Sequence, residues 1–250
     1  MTAAIALIAL GLPIGFLIGL IGIGGVLLAP ALLHIFGRDI HEAVALSLAS
    51  FVLAGVVAAA KSRNIGARFG APDWLFLGMI VPGALAGSLA VPWISTAALS
   101  FVISVCVVLA GITCLRSNTA FEHKAETFNL ATLAGIGLLI GFLSVISGSG
   151  GPLIGLPILL WRGMDVRRAL LLAQVVQLPV AATATITNGM IGSLDLQTAT
   201  ILSVAIVVGM LAGFNASRRI EAGVLRRGVA WCLVAVGLAL CFSDLQHFAF

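Results

Sequence analysis

The chain has 250 residues, of which 61% are hydrophobic and 9% are charged, with a formal net charge of +4. Soluble domains carry about 25% charged residues, so this composition excludes a water-soluble globular protein. The basic residues stand singly or in short groups at the ends of apolar runs, which excludes a nucleic-acid-binding patch. Apolar runs of about twenty residues, the length of a bilayer-crossing helix, recur along the chain. We therefore predict an all-α polytopic membrane protein.

The first apolar segment covers residues 3–36 and is too long for a single crossing. A helix of that length would extend about 50 Å, against a hydrocarbon core of about 30 Å. Glycine permits backbone conformations closed to other residues, and proline limits helical hydrogen bonding. The middle of this segment, LIGIGGVLLAPALL, contains Pro30 and three glycines, Gly22, Gly24 and Gly25. We predict a broken or re-entrant helical hairpin that enters and leaves the membrane on one side.

The same pattern returns 126 residues later, in VISGSGGPLIGLPILL at residues 145–160. This offset holds without a gap over some seventy residues; it pairs Gly15 with Gly141, Gly22 with Gly148, Gly24 with Gly150, Gly25 with Gly151, Asp39 with Asp165 and Gly87 with Gly213. A fixed offset of this kind indicates internal duplication. We predict a first repeat over residues 1–115, a polar linker over 116–127 and a second repeat over 128–250.

Each repeat is predicted to consist of a hairpin followed by three transmembrane helices. In the first repeat, the hairpin covers residues 3–36 and the helices cover 42–61, 72–92 and 97–115. In the second repeat, the hairpin covers residues 128–161 and the helices cover 169–188, 196–215 and 224–242.

The basic residues favour hairpins over full crossings for the first segment of each repeat. If all eight segments crossed, the 13 Lys and Arg residues would divide eight to five between the two faces. With two hairpins, all of them except Arg38 fall on one face, which obeys the positive-inside rule. Each repeat then crosses three times, so the second is inverted and both termini lie outside the cytoplasm. Inverted repeats with broken helices are typical of secondary transporters, which bind substrate near the membrane midplane.

The two glycine-rich tips are predicted to meet at the centre and to bind an anion. Irregular backbone inside a membrane persists only within protein or beside a watery cavity, and helix N-termini attract anions. The helix after each hairpin adds polar side chains, for which interhelical hydrogen bonding is the alternative role. The predicted substrate-binding residues are Gly22, Gly24, Gly25, Ser47, Ser50, Ser147, Gly148, Ser149, Gly150, Gly151, Gln174 and Gln177.

With these motifs, the chain resembles the TauE/SafE family of sulfite and organosulfur-anion exporters over nearly its whole length. The specific stretches are GFLIGLIGIGGVLLAPALL, its echo GFLSVISGSGGPLIGLPILL, and the pair PGALAG and VGMLAG at 82–87 and 208–213. The resemblance implies a permease of a bacterial-type inner membrane that exports sulfite, a sulfonate or sulfoacetate. One departure is Val26, where many members continue the glycine run; it bears on the backbone shape of the first tip.

Other functions remain open beside a carrier. A passive anion channel would share this architecture, and a purely structural subunit is a further alternative. An intramembrane serine protease would need a base near Ser147 or Ser149, but the four histidines fall near segment ends or in loops. We predict no enzymatic activity, no cofactor, no metal site and no nucleic-acid partner. The expected partners are the anion and the lipid bilayer; a coupling proton or sodium ion, the anion carried, the direction of transport and the oligomeric state stay open.

Overall fold

The computed structural model describes residues 2–22, 24–64, 70–116, 129–161, 166–191 and 194–216, with five isolated positions between 231 and 238. Every element in these ranges is helical: α1 Thr2–Ile21, α2 Leu28–His34, α3 Ile40–Ser50, α4 Val52–Asn64, α5 Ala71–Ala90, α6 Thr96–Arg116, α7 Leu130–Ile146, α8 Pro152–Trp161, α9 Val166–Ile191 and α10 Leu196–Ala216. Short 3-10 turns cover Gly24–Leu27 and Val91–Trp93. The predicted linker beyond Arg116, and the predicted helix over 224–242 apart from the isolated positions, lie outside the described residues.

The first predicted hairpin consists of α1, a tip and α2, with arms of unequal length. α1 has 20 residues and α2 has only 7. Gly22 takes a positive φ of 82°, which ends α1 and turns the chain. Residues 27–35 then line one apolar groove together with residues 10–17, so α2 lies back along α1.

The second hairpin has a longer return arm. α7 has 17 residues and α8 has 10, and the turn between them contains three glycines with positive φ angles, Gly148, Gly150 and Gly151. A Cβ atom placed on Gly155 would lie 4.0 Å from the Ile140 side chain, which shows that α8 packs along α7.

The first arm of each hairpin packs against a helix of the other repeat. A Cβ atom on Gly15 would lie 2.1 Å from the carbonyl oxygen of Ile206, and one on Gly141 would lie 2.3 Å from that of Ile80. These two contacts are related by the 126-residue offset with the partners exchanged. The same exchange relates two further contacts, Gly209 with Leu12 and Gly83 with Leu138. α1 therefore packs on α10 as α7 packs on α5, and glycine allows the backbones to touch.

The pair α3 and α4 runs alongside α10 in the same direction. Three contacts join them in ascending order along both: the ion pair of Arg38 with Asp195, the bond from the Ser203 hydroxyl to the Ser50 carbonyl, and Lys61 over the Phe214 ring. α1 also ascends with α10, because Gly11 lies against Leu202 and Gly19 against Met210. α1 and α3 consequently point the same way, and α2 is the return arm between them.

The outer surfaces of the helices suit lipid. Three stretches are long and apolar enough to cross a membrane, Ile40–Ser62, Ala71–Trp93 and Leu196–Ala216. Exposed tryptophans stand at both ends of the second stretch, Trp74 and Trp93, with exposed apolar side chains between them. Their separation along the helix is about 28 Å, close to the thickness of the hydrocarbon core, where aromatic residues mark the interfaces. The predicted fold class, an all-α membrane protein, is confirmed.

Buried apolar side chains form two clusters, and each draws on both repeats. The α1–α10 cluster includes Ile18, Leu46 and Ile206, from α1, α3 and α10. The α5–α7 cluster includes Ile80, Ile140 and Val176, from α5, α7 and α9. The hydrophobic cores thus follow the exchanged helix pairs rather than the sequence repeats, and the hairpin tips lie where the two clusters meet.

Candidate functional site

The two hairpin tips touch each other beside a buried aromatic ring. A Cβ atom on Gly25 would lie 3.1 Å from the carbonyl oxygen of Ser149 and 3.0 Å from the Phe51 ring. A Cβ atom on Gly150 would lie 2.8 Å from the same ring. Phe51 has no exposed surface and is the twelfth residue of the 23-residue span Ile40–Ser62. The tips therefore meet level with the middle of a membrane-spanning helix.

The backbone of the second tip requires glycine and is tied to the first repeat. Gly148, Gly150 and Gly151 have φ angles of 60°, 74° and 119°, which side chains other than glycine rarely adopt. The hydroxyl of Ser47, on α3, donates to the carbonyl of Gly148 at 2.8 Å. This bond joins the first repeat to the tip of the second and gives Ser47 a structural partner there.

Two hydroxyl groups lie on the second tip. Ser147 and Ser149 are buried, and their hydroxyl oxygens are 2.8 Å apart, within hydrogen-bond distance of each other. The Ser147 hydroxyl also lies 3.3 Å from the carbonyl of Ser144, to which it can donate. A pair of hydroxyls sharing protons in this way can turn to donate to a bound anion.

The two predicted glutamines of α9 contact different segments of the chain. Gln174 donates from its amide nitrogen to the carbonyl of Ile18, near the end of α1, at 3.3 Å. Gln177 lies beside Gly150, and neither its nitrogen nor its oxygen has a partner among the described residues, although the side chain has no exposed surface. A buried polar group without a partner costs about 1–3 kcal/mol, and native structures contain few of them. Gln177 therefore has both amide atoms available to a bound ligand; the Oε1 of Gln174 and the hydroxyl of Ser144 are also without a partner among the described residues.

Comparison with known proteins agrees with this architecture. The family model described as "Sulfite exporter TauE/SafE" matches residues 7–240 of the chain. The chain belongs to the TauE/SafE sulfite exporter family. Its members are membrane permeases rather than enzymes. No match was found among curated proteins or among solved structures.

Other predicted site residues of this TauE/SafE protein have local roles in the structure. The Ser50 hydroxyl donates to the Leu46 carbonyl of its own helix at 2.7 Å, so it is engaged away from the tips. The N–H of Gly22 donates to the carbonyl of Ile18 at 2.9 Å and closes α1. Gly24 lies against α1, since its Cβ would be 2.7 Å from the Ile14 carbonyl. The first tip is shaped by these contacts, and Gly25 is its point of contact with the second.

Both central helices are irregular next to the tips. α3 ends at Ser50 and α4 begins at Val52, and the N–H of Phe51 bonds to the carbonyl of Leu48, three residues back. α9 contains Pro179, which has no N–H to donate, so the carbonyl of Val175 lacks its usual helical partner. Such breaks loosen a helix where neighbouring backbone must be accommodated.

The site is electrically neutral in its side chains, and carboxylates lie at helix ends. The twelve predicted site residues include only glycine, serine and glutamine. Hydrogen bonds from the Thr198 hydroxyl and backbone lower the pKa of Asp195, which caps α10. Burial raises the pKa of Asp39, but hydrogen bonds from His41 lower it by more, so the pKa lies below its ordinary value. Among the described residues, no cluster of three or more His, Cys, Asp or Glu side chains could hold a metal ion.

Phe51 was missed by the sequence analysis, although one signal could have identified it. A phenylalanine in an apolar run looks like any other core residue. The 126-residue offset, however, pairs Phe51 with Gln177, so the ring occupies the position that the second repeat gives to an amide. Ser203, whose hydroxyl bonds to the Ser50 carbonyl at 3.1 Å, carried no signal in the sequence.

Proposed function

We propose that this protein is a secondary transporter that exports a small organosulfur anion by alternating access, with the substrate held at the two hairpin tips. The observation that carries the proposal is the unpartnered amide of Gln177. It is completely buried beside Gly150, where the tips meet. A polar group kept without a partner at this place fits a site that is filled during transport.

An anion suits the chemistry around this amide. α8 begins at Pro152, directly after the second tip, and the N-terminus of a helix carries a partial positive charge. The hydroxyls of Ser147 and Ser149 and the Gln177 amide add neutral donors. Hydrogen bonds to an ionised acceptor are about twice as strong as neutral ones. Neutral donors hold a sulfonate or sulfite group without the tight charge pairing that would prevent its release.

The inverted topology is supported by the exchanged contacts and by the charges. α1, α3 and α10 run in one direction, as expected if the first segment returns as a hairpin. In this topology every basic residue but Arg38 is cytoplasmic. Arg38, the outer exception, forms ion pairs with Glu42 and Asp195. In this topology the protein spans a bacterial-type inner membrane, and both termini lie outside the cytoplasm.

The two exchanged helix pairs, α1 with α10 and α5 with α7, are our candidates for the moving bodies of the cycle. The backbone contacts at Gly15 and Gly141 hold each pair too closely for its two helices to slide. Rocking one pair against the other would open the tips to each side in turn. An inside-negative potential favours outward movement of an anion by about 2.3 kcal/mol per charge per 100 mV, so export needs no coupled cation.

Flux measurements in proteoliposomes test the proposal. We expect saturable uptake of radiolabelled sulfite or sulfoacetate by the full chain, with counterflow, and roughly 10- to 100-fold weaker apparent affinity in Gln177→Ala. The matched control is Gln197→Ala, because Gln197 is an exposed glutamine at the start of α10. Unchanged affinity of Gln177→Ala for every anion tried would contradict the site. Conductance far above carrier turnover would instead identify a passive channel.

A further inference from the structure

We propose that Phe51 determines substrate specificity by making the site one-sided, so that it prefers carbon-bearing sulfonates to inorganic sulfite. The sulfonate oxygens would face Gln177 and the second tip, and the carbon group would face the Phe51 ring. This inference rests on the proposed function, which it deepens by naming the substrate class and its orientation.

Phe51 and Gln177 approach the same glycine. A Cβ atom on Gly150 would lie 2.8 Å from Cδ2 of Phe51 and 3.4 Å from Nε2 of Gln177. The two residues are equivalent under the 126-residue offset, so the pseudo-symmetric centre holds an aromatic ring in one half and an amide in the other. Both side chains are completely buried. A ligand at this place therefore meets a polar wall and an apolar wall.

The difference extends to the neighbouring positions in the sequence. Polar residues of the second repeat have apolar counterparts in the first: Ser147 and Ile21, Ser149 and Ile23, Gln174 and Leu48, Gln177 and Phe51. Two serines break this rule, Ser47 opposite Ala173 and Ser50 opposite Val176. Their hydroxyls donate to backbone carbonyls, of Gly148 and Leu46, and so present no donor to a ligand. The unpartnered amide of Gln177 thus belongs to the second repeat, as do the mutually bonded hydroxyls of Ser147 and Ser149.

A one-sided site discriminates between anions by what they present to the ring. Sulfite that places its three oxygens against Gln177 and the second tip turns only its sulfur lone pair toward the ring, and so it buries no carbon there. An alkanesulfonate turns carbon toward the ring and buries apolar surface instead. Each buried methylene strengthens binding by about fourfold.

A competition series tests the inference on the full chain in proteoliposomes. We measure inhibition of labelled sulfoacetate uptake by sulfite, methanesulfonate, ethanesulfonate and propanesulfonate. Wild type should bind ethanesulfonate at least tenfold more tightly than sulfite. Phe51→Gln, which puts an amide on both sides, should reverse the order by weakening the alkanesulfonates and strengthening sulfite. Phe51→Leu should keep the order with a smaller ratio, and Phe101→Leu, at an exposed position of α6, should equal wild type.

The outcomes separate this inference from the proposed function. If wild type binds sulfite as tightly as ethanesulfonate while Gln177→Ala loses both, the site stands and the role of Phe51 is wrong. Equal changes for all four anions in Phe51→Gln would also overturn it. If Phe51→Gln does not fold, the wild-type chain-length series and the ratio in Phe51→Leu decide. If no anion is transported by wild type, the proposed function itself fails.

Discussion

The two hairpin tips share a glycine pattern but use it to form different backbones. Gly22 and Gly148, which are equivalent under the 126-residue offset, both have positive φ angles, 82° and 60°. The next glycine pair of the first tip lies in the 3-10 turn Gly24–Leu27, whereas the equivalent pair of the second tip has φ angles of 74° and 119°, at Gly150 and Gly151. Glycines at equivalent positions thus allow close packing in the first tip and supply positive φ angles in the second.

The residue that follows the glycines accounts for part of this difference. Val26 has a backbone N–H and continues into a 3-10 turn, while its equivalent, Pro152, has none and opens α8 at the first helical position. The second tip consequently ends in a helix N-terminus directly beside Gln177. The second tip, which has three glycines with positive φ angles, is also the tip that carries the hydroxyls of Ser147 and Ser149.

The largest effect is expected where the two hairpins are alike, in their first arms. Gly15→Ala would place a methyl group 2.1 Å from the Ile206 carbonyl oxygen, and Gly141→Ala one 2.3 Å from that of Ile80. Both clashes are with backbone in packed helices, so each variant should lose about 3 kcal/mol of stability or more, as overpacking does. Thermal unfolding in detergent measures this loss.

Gly135→Ala is the matched control for the arms, because a Cβ on this α7 glycine would meet nothing within 4 Å. Its stability should equal wild type or exceed it by up to about 1 kcal/mol, since alanine favours helix. Destabilisation of only one of the two arm variants would show that the exchanged contacts are not equivalent.

A smaller and unequal effect is expected at the tips. Gly151→Ala combines a φ of 119° with a Cβ contact of 2.6 Å to Val176, and should cost about 3 kcal/mol. Gly25→Ala has no positive φ, and its methyl group would meet the Phe51 ring at 3.0 Å and the Ser149 carbonyl oxygen at 3.1 Å, so it should cost about 1 kcal/mol. The same unfolding assay compares them. Equal losses would mean that the two tips do not differ in conformational strain.

The smallest effect is expected at the ion pair between Arg38 and Asp195, which has no counterpart in the other half because the equivalent residues are Met164 and Phe69. Asp195→Asn should cost less than about 1 kcal/mol at pH 7. Hydrogen bonds from Thr198 and, to a smaller degree, the charge of Arg38 lower the pKa of Asp195 on folding, so its stabilisation is present above the ordinary value of 3.8 and is lost as the pH falls through the lower folded value. The difference between wild type and variant should therefore shrink as the pH falls below 3.8; a difference that stays constant would contradict this assignment.

Much of this arrangement could be predicted because its signals are local. Glycine clusters, the length of the first segment and the repeat offset indicate two broken hairpins before any contact is known. Polar side chains are conspicuous in so apolar a chain, which is why the predicted site included Ser147, Ser149, Gln174 and Gln177.

The rest depends on packing between distant segments. Glycines spaced by four predict a close helix contact, but nothing local indicates that Gly15 meets Ile206 rather than a neighbour in its own repeat. The hydroxyl of Ser50 looks available until its bond to Leu46 is seen. The role of Phe51 is apparent only from the contacts of both tips with its ring. The arms of the first hairpin differ in length, 20 and 7 residues, and the first arm ends next to Gly22, which has a positive φ.

The exchanged packing of α1 and α10 has a consequence for biogenesis. α1 leaves the ribosome well before α10, and the helix that covers its glycine face is completed only at Ala216. At roughly 5–20 residues per second, synthesis of the intervening chain takes on the order of 10–40 s. During that time α7 is synthesised and its partner α5 is already available, whereas the partner of α1 does not yet exist. Insertion of the second repeat therefore completes the packing of the first. A nascent chain released halfway would lack part of both the α1–α10 cluster and the α5–α7 cluster.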